Sequence, residues 1–138
     1  MARQKIEIVQ DSGKSVAQLF AILSDHNRLR EVFGIPVKRI RDGKSDLNGL
    51  GSVRRIGFPG PLGVEETVTG LHPDRSIDYR ISKGGGPVRN HAGRMVFETM
   101  PGGSRVIWTI EFDALPLLGT AIRLVLTTAI KGGLKRIA

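Results

Sequence analysis

Four polar side chains occur at positions that neighbouring antiparallel strands would bring together: Arg54, Glu66, Tyr79 and His91. A carboxyl group, a phenol or an imidazole can exchange a proton with a bound molecule, and a guanidinium can stabilise an enolate-like oxygen. The same groups can instead anchor a ligand by hydrogen bonds without any reaction. The choice between an enzyme and a binding protein therefore depends on the surroundings that the fold gives these residues.

Three of these residues are predicted to form a polar row across one face of a sheet, because opposed residues of an antiparallel pair point to the same face. A turn over residues 57–63 pairs Arg54 with Glu66, and the next turn pairs Glu66 with Tyr79. A slip of one residue in the first turn would substitute Arg55 for Arg54, so both arginines stay candidates. The plainer interpretation of Arg54 and Glu66 is a structural ion pair.

The glycine-rich stretch before His91 has the composition of a phosphate-binding loop. Residues 82–93 read SKGGGPVRNHAG. Phosphate loops lead into a helix N-terminus, whereas a proline and a predicted strand follow these glycines. A hairpin turn is therefore expected, and it sets Ile81 near His91 and Tyr79 near Gly93. This pairing places His91 on the same face as Tyr79.

Apolar residues surround the polar row. The last hairpin is predicted to pair Phe97 with Trp108 and Met95 with Ile110, and the terminal helix adds Ile122. These side chains fit two interpretations, ordinary core packing and the wall of a ligand cavity. The same side chain can pack in the core and line a cavity.

The elements that carry these residues follow an α+β order. Alternation of apolar and polar residues predicts seven strands, at residues 5–10, 36–41, 51–56, 64–70, 76–82, 93–100 and 105–113. After the first strand, a capping box of Ser15 and Gln18 begins one short helix, and a second covers residues 25–34. A long, mostly buried helix is predicted over 117–137, and its adjacent glycines, 132 and 133, indicate a kink or a close approach to another backbone.

Length and composition indicate one soluble domain over residues 1–138. A chain of this length can bury a core without cross-links, and it contains no cysteine. The lack of cysteine fits a reducing compartment, and no apolar run reaches the roughly 20 residues of a membrane span. A cytoplasmic protein without stable membrane insertion is therefore expected. His26, His72 and His91 lack metal-site spacing, so neither a metal nor a cofactor is expected.

The net charge of +8, from 21 basic and 13 acidic residues, raises a different possibility, a nucleic-acid-binding module. Aromatic residues make up only 5% of the chain, and most arginines alternate along strands instead of forming one stripe. No zinc-finger or RNA-binding motif occurs. Nucleic acid is therefore the weaker candidate partner, and the sequence leaves the oligomeric state open.

The order of elements and a set of short strand markers resemble the START-related polyketide cyclase/dehydrase and lipid-transport superfamily (SRPBCC). The markers run along most of the chain and are Gly49, Gly51, Val53, Arg54, Arg55, Ile56, Glu66, Asp78, Tyr79, Arg80, Val106, Ile107, Trp108, Thr109, Gly133 and Leu134. The resemblance implies a helix-grip fold, in which a curved seven-stranded antiparallel sheet wraps around the C-terminal helix with a cavity between them. It also implies a hydrophobic or aromatic small-molecule ligand and no common cofactor.

The expected function is the binding of such a ligand in that internal cavity. Eight side chains are expected to contact it: Arg54, Glu66, Tyr79, His91, Met95, Phe97, Trp108 and Ile122. The alternative that the resemblance implies is a cyclase, aromatase or dehydratase. In such an enzyme Tyr79, His91 or Glu66 would exchange a proton while Arg54 steadies an enolate-like oxygen.

Overall fold

The fold consists of β-strands, short helices and one long C-terminal helix. The computed structural model describes residues 1–58 and 63–138. Within these residues the strands are β1 Ala2–Ser12, β2 Val37–Arg41, β3 Val53–Ile56, β4 Val64–His72, β5 Ser76–Gly84, β6 Arg89–Met100 and β7 Gly103–Ala114. The helices are α1 Val16–Ser24, α2 Arg30–Phe33 and α3 Pro116–Ile137, with a 3-10 turn at His26–Arg28.

The strands form a single antiparallel sheet in the order β1-β7-β6-β5-β4-β3-β2. The sheet is curved, and α3 lies against it, so the predicted helix-grip fold is confirmed. The centre of the turn predicted over residues 57–63 lies outside the described residues. The strands on either side of it nevertheless pair as predicted, with Arg54 opposite Glu66 and Ile56 opposite Val64.

Two hairpins differ from prediction by two residues. In the last hairpin, Trp108 lies opposite Met95 instead of Phe97, because the chain turns tightly between Met100 and Gly103. In the β4–β5 hairpin, the predicted pair of Glu66 and Tyr79 is wrong, because the chain turns later than predicted, with His72 opposite Ser76. A β-bulge between Val68 and Gly70 recovers one residue of that difference, so Tyr79 lies opposite Val68. A shift of two residues preserves the face of the sheet on which a side chain lies.

The short helices begin and end where local signals place them. Ser15 accepts a hydrogen bond from the Gln18 backbone N–H at 3.1 Å, and its own N–H donates to the Gln18 side chain at 2.9 Å. The predicted second helix is divided into the 3-10 turn and α2. It ends at Gly34, whose φ of +73° is left-handed. These helices cover one end of the sheet.

The long helix α3 is buried mainly over its second half. Ile130 and Leu134 are fully buried, and the Cα of Gly133 faces the Val32 backbone so closely that a Cβ there would overlap the Val32 carbonyl. In the first half, Leu117 is 89% exposed and Val125 68%. The prediction of a mostly buried helix is therefore wrong for the first half, because several of its side chains border a cavity instead of packing on the sheet.

By length and apolar composition, α3 would also be able to cross a membrane. Core helices of soluble proteins have the same properties, and the second half of α3 lies in such a core.

Candidate ligand-binding site

A cavity of about 440 Å³ lies between the sheet and the first half of α3. Most of its lining is apolar and comes from α2, the central strands and α3, with Phe33, Ile56, Ile110, Phe112, Ile122 and Leu126 among the contributors. Of the residues that the structure describes, three polar ones reach it: Glu66, Tyr79 and His91. The site is therefore a mostly apolar cavity with one polar region on the sheet.

The position of Tyr79 depends on a glycine in the neighbouring strand. Tyr79 on β5 lies opposite Gly93 on β6, as the sequence predicts. The tyrosine ring fills the space where a side chain of residue 93 would stand, and a Cβ there would overlap the ring. A glycine at this site therefore allows the ring to lie flat across the sheet and form part of the cavity floor.

The Tyr79 hydroxyl is directed at Trp108, a core residue that does not line the cavity. It accepts a hydrogen bond of 2.7 Å from the indole N–H of Trp108. Burial raises the pKa of Tyr79 above its ordinary value, and the nearby Glu66 carboxylate raises it further. Tyr79 is therefore a weak acid here, and its hydroxyl helps to fix Trp108 in the core.

Glu66 is held by a buried arginine behind the cavity wall. Arg54 is 1% exposed and Glu66 6%. The Arg54 Nε donates to Glu66 Oε1 at 3.0 Å, and Nη2 lies 2.9 Å from the same oxygen. The guanidinium also stacks on Tyr79, with its carbon 4.5 Å from the ring centroid. Because removing one partner would strand a buried charge, the pair stabilises the fold only as a unit.

A second buried histidine supports that arginine. His26 Nδ1 lies 3.3 Å from Arg54 Nη1, and His26 Nε2 lies 2.7 Å from Ser52 Oγ. Burial lowers the pKa of His26 to about 3, and the charges of Arg54 and Arg39 act in the same direction. His26 is therefore neutral at physiological pH. It accepts from Arg54 through Nδ1 and donates to Ser52 through Nε2.

His91 lies at the opposite side of Glu66, on the cavity surface. Its Nδ1 accepts a hydrogen bond of 3.0 Å from the Ile81 backbone N–H, as the predicted pairing of these residues requires. Its Nε2 is 3.9 Å from Glu66 Oε2. Burial lowers the pKa of His91, with Glu66 opposing the shift and the Arg54 charge adding to it. His91 is therefore held mostly neutral at pH 7.

Of the eight residues predicted to contact a ligand, the structure brings four to the cavity surface: Glu66, Tyr79, His91 and Ile122. Arg54 faces inward, which decides between Arg54 and Arg55, but it lies behind Glu66 and does not line the cavity. Since the Arg54 guanidinium is paired with the Glu66 carboxylate, Arg54 would affect a ligand only indirectly, through Glu66.

Met95, Phe97 and Trp108 are buried but do not line the cavity, contrary to prediction. They share a sheet face with the lining residues, yet the short helices cover their end of it. The Phe20 ring of α1 lies 5.1 Å from the Phe97 ring, and the Phe33 ring of α2 lies 5.9 Å from Trp108. That end of the sheet is therefore solid core.

Sequence reasoning missed Phe33 and Leu126, which line the cavity from α2 and α3. Ile110 and Phe112, which alternation along β7 puts on the same face as Trp108, line it as well. Nothing local marked His26, because a histidine that begins a short helix is usually solvated. Its burial comes from the packing of that helix turn on β3. In the described residues, no group of three or more histidine or acidic side chains is arranged so that it could bind a metal ion.

Comparison with protein-family models identifies the group to which this architecture belongs. Residues 3–138 match the family described as polyketide cyclase / dehydrase and lipid transport. The chain belongs to this family. The polyketide cyclase/dehydrase and lipid transport family has a soluble fold of the kind described above. A comparison with curated proteins gives no match.

Solved structures with the same fold are diverged in sequence. One domain of StfQ, a di-domain ARO/CYC protein from the steffimycin biosynthetic pathway, matches with a TM-score of 0.76 at 14% identity, over 96% of this chain and 48% of that one. Ara h 8.0201 matches with a TM-score of 0.66 at 15% identity, over 98% and 99% of the chains. An uncharacterised protein of Bacillus thuringiensis matches with a TM-score of 0.69 at 15% identity, over 99% and 98%. At these identities the likeness is one of fold.

Proposed function

We propose that this protein binds a hydrophobic or aromatic small molecule in the cavity between the sheet and α3. The observation that carries the proposal is the cavity of about 440 Å³, which is in the ordinary range for small-molecule sites. Its apolar walls supply affinity through burial, and Glu66 and His91 supply a polar anchor. The family to which the chain belongs generally takes such ligands.

A neutral fluorescent probe tests the proposal. N-phenyl-1-naphthylamine brightens when it leaves water, and we expect saturable binding to the wild-type protein. The Ile122→Trp variant fills the cavity from α3 and should weaken binding at least about tenfold. Ile40→Trp makes the same change at an exposed position on β2, 38% accessible, and should bind like the wild type. Equal affinity in all three proteins would mean that the probe binds elsewhere and would contradict the proposal.

A second candidate, an enzyme of the cyclase or dehydratase type, is favoured by the pairing of Glu66 and His91. The Glu66 carboxylate could take a proton from a bound molecule while the His91 Nε2 donates one to its oxygen. Tyr79 is a poorer proton carrier than the sequence suggests, because burial raises its pKa above the ordinary value and its hydroxyl is directed at the core residue Trp108. One domain of StfQ shares the fold, although its printed role is a property of that protein.

Matched variants separate the two candidates. In an enzyme, His91→Asn should lower kcat by 10²–10⁴-fold, far beyond its effect on substrate affinity. Tyr79→Phe should leave kcat within a few-fold of wild type. A β-polyketone substrate analogue that binds but is never converted by the wild-type protein would favour the carrier.

A further inference from the structure

The hydrogen-bonding capacity of His91 is fixed by the backbone. Its Nδ1 accepts from the Ile81 N–H at 3.0 Å, and its side chain is only 7% exposed. A neutral imidazole that accepts through one nitrogen carries its hydrogen on the other. Nε2–H is therefore a donor, and it points toward the cavity side of Glu66.

The two carboxylate oxygens of Glu66 have different surroundings and accept hydrogen bonds differently. Oε1 takes the hydrogen bond and the charge of Arg54. Oε2 accepts no hydrogen bond from the side chains and backbone of residues 1–58 and 63–138, and His91 Nε2 lies 3.9 Å from it. That separation is too long for a direct hydrogen bond. One acceptor and one donor thus face each other across a gap.

The gap has the dimensions of one bridging oxygen. An oxygen about 2.8 Å from each atom, an ordinary hydrogen-bond distance, closes a triangle on the 3.9 Å base. That oxygen must carry a hydrogen for Glu66 and a lone pair for His91. A hydroxyl group has both. A ketone or an ether leaves the Glu66 oxygen without a donor, and a carboxylate or phosphate brings a second negative charge beside it.

Among the described residues, the rest of the cavity lining offers no partner to a further polar group. The other lining side chains there are aliphatic or aromatic, and the Tyr79 hydroxyl is directed at Trp108, which does not line the cavity. A second polar group on the ligand would be buried without a partner unless it reached the mouth.

We propose that the cavity selects alcohols or phenols: a largely apolar molecule whose single buried hydroxyl donates to Glu66 Oε2 and accepts from His91 Nε2. This inference rests on the proposed binding function and narrows it to a ligand class. Glu66 and His91 are then residues that determine specificity, and Arg54 and the Ile81 N–H are the groups that hold them in position.

Three naphthalenes of nearly equal shape test the inference by isothermal titration calorimetry at pH 7. 2-Naphthol donates and accepts, 2-methoxynaphthalene only accepts, and naphthalene does neither. We expect 2-naphthol to bind at least about tenfold more tightly than either of the others, because a site built for a hydroxyl rejects analogues that lack it.

Variants of His91 test whether this residue causes the preference for 2-naphthol. In His91→Asn, the amide oxygen can replace Nδ1 as the acceptor for Ile81, but no donor reaches the ligand oxygen, so the preference for 2-naphthol should fall to less than about threefold. His91→Gln can place an amide N–H near the position of Nε2 and should keep part of the preference. His72→Asn makes the same change at an exposed histidine and should leave the preference intact.

The outcomes distinguish the two proposals. Equal affinities of the three compounds for the wild-type protein would overturn the hydroxyl selection and leave the binding function standing. Binding of none of them would overturn both. A preference for 2-naphthol that persists unchanged in folded His91→Asn would also overturn the inference.

Discussion

Acid should destabilise this protein through His26, the histidine that supports Arg54 behind the cavity wall. His26 is 1% exposed, and burial lowers its pKa from the ordinary 6.5 to about 3. Its neutral ring accepts from Arg54 and donates to Ser52. A proton on Nδ1 would remove the acceptor and place a second positive charge beside the guanidinium.

The sign and size of the effect follow from proton linkage. Below pH 6.5 the unfolded chain protonates His26, whereas the folded protein does so only near pH 3. The stabilisation is therefore complete above pH 6.5 and is lost as the pH falls. At about 1.4 kcal/mol per pH unit, the free energy of unfolding should drop by about 2 kcal/mol between pH 7.5 and pH 5 from this group alone. His91, whose pKa is also lowered, adds to the loss in the same direction.

Urea denaturation at a series of pH values measures this loss. In His26→Asn, the amide oxygen still accepts from Arg54 but does not titrate, so the variant should lose about 2 kcal/mol less than the wild type over the same pH range. Carboxylates and His91 contribute equally to the pH dependence of the unfolding free energy in both proteins. His72→Asn, at an exposed site, is the matched control and should follow the wild type. Parallel curves for wild type and His26→Asn would refute the assignment of a buried neutral imidazole.

Two glycine substitutions test the close contacts that shape the site. Gly93→Ala drives a Cβ into the Tyr79 ring and should cost at least about 2 kcal/mol in thermal or urea unfolding, with weaker probe binding; an unchanged stability would contradict the ring position. Gly133→Ala should destabilise by a similar amount, because its Cβ meets the Val32 backbone. Gly132→Ala is its neighbour and control: its Cβ meets only a side-chain end of Arg136 at 3.7 Å, so it should stabilise the helix by up to about 1 kcal/mol. Equal effects of the two helix substitutions would refute that contact.

Local signals in the sequence account for most of the fold. The Ser15 capping box and the left-handed Gly34 are short-range features, so the ends of the short helices could be predicted. Alternation gave the strands, and the pairing of Arg54 with Glu66 followed from turn position. The contact of His91 with Ile81 followed in the same way.

The errors concern features that depend on tertiary packing. The β4–β5 turn closes later than predicted, with His72 opposite Ser76, so Tyr79 lies opposite Val68 instead of Glu66; the β-bulge after Val68 also changes the register, and no residue type marks a bulge as clearly as glycine marks a turn. Whether Trp108 lies in solid core or on a cavity wall depends on where α1 and α2 settle on the sheet. The burial of His26 has the same origin. The number of apolar residues is the same in either arrangement, so composition cannot decide between them.

Isoleucine methyl groups report directly on the central claim that a small molecule occupies the cavity between the sheet and α3. Five isoleucines of the described residues line the cavity; Ile35 is 47% exposed, and the other four are Ile56, Ile81, Ile110 and Ile122. The reference set is four isoleucines from those buried away from it, namely Ile6, Ile8, Ile77 and Ile130. In methyl NMR spectra recorded during titration with 2-naphthol, we expect the δ1 signals of the first four to shift together with one dissociation constant while those of the second four stay in place. Shifts confined to the second four or to exposed isoleucines, or none at saturating ligand, would contradict the account.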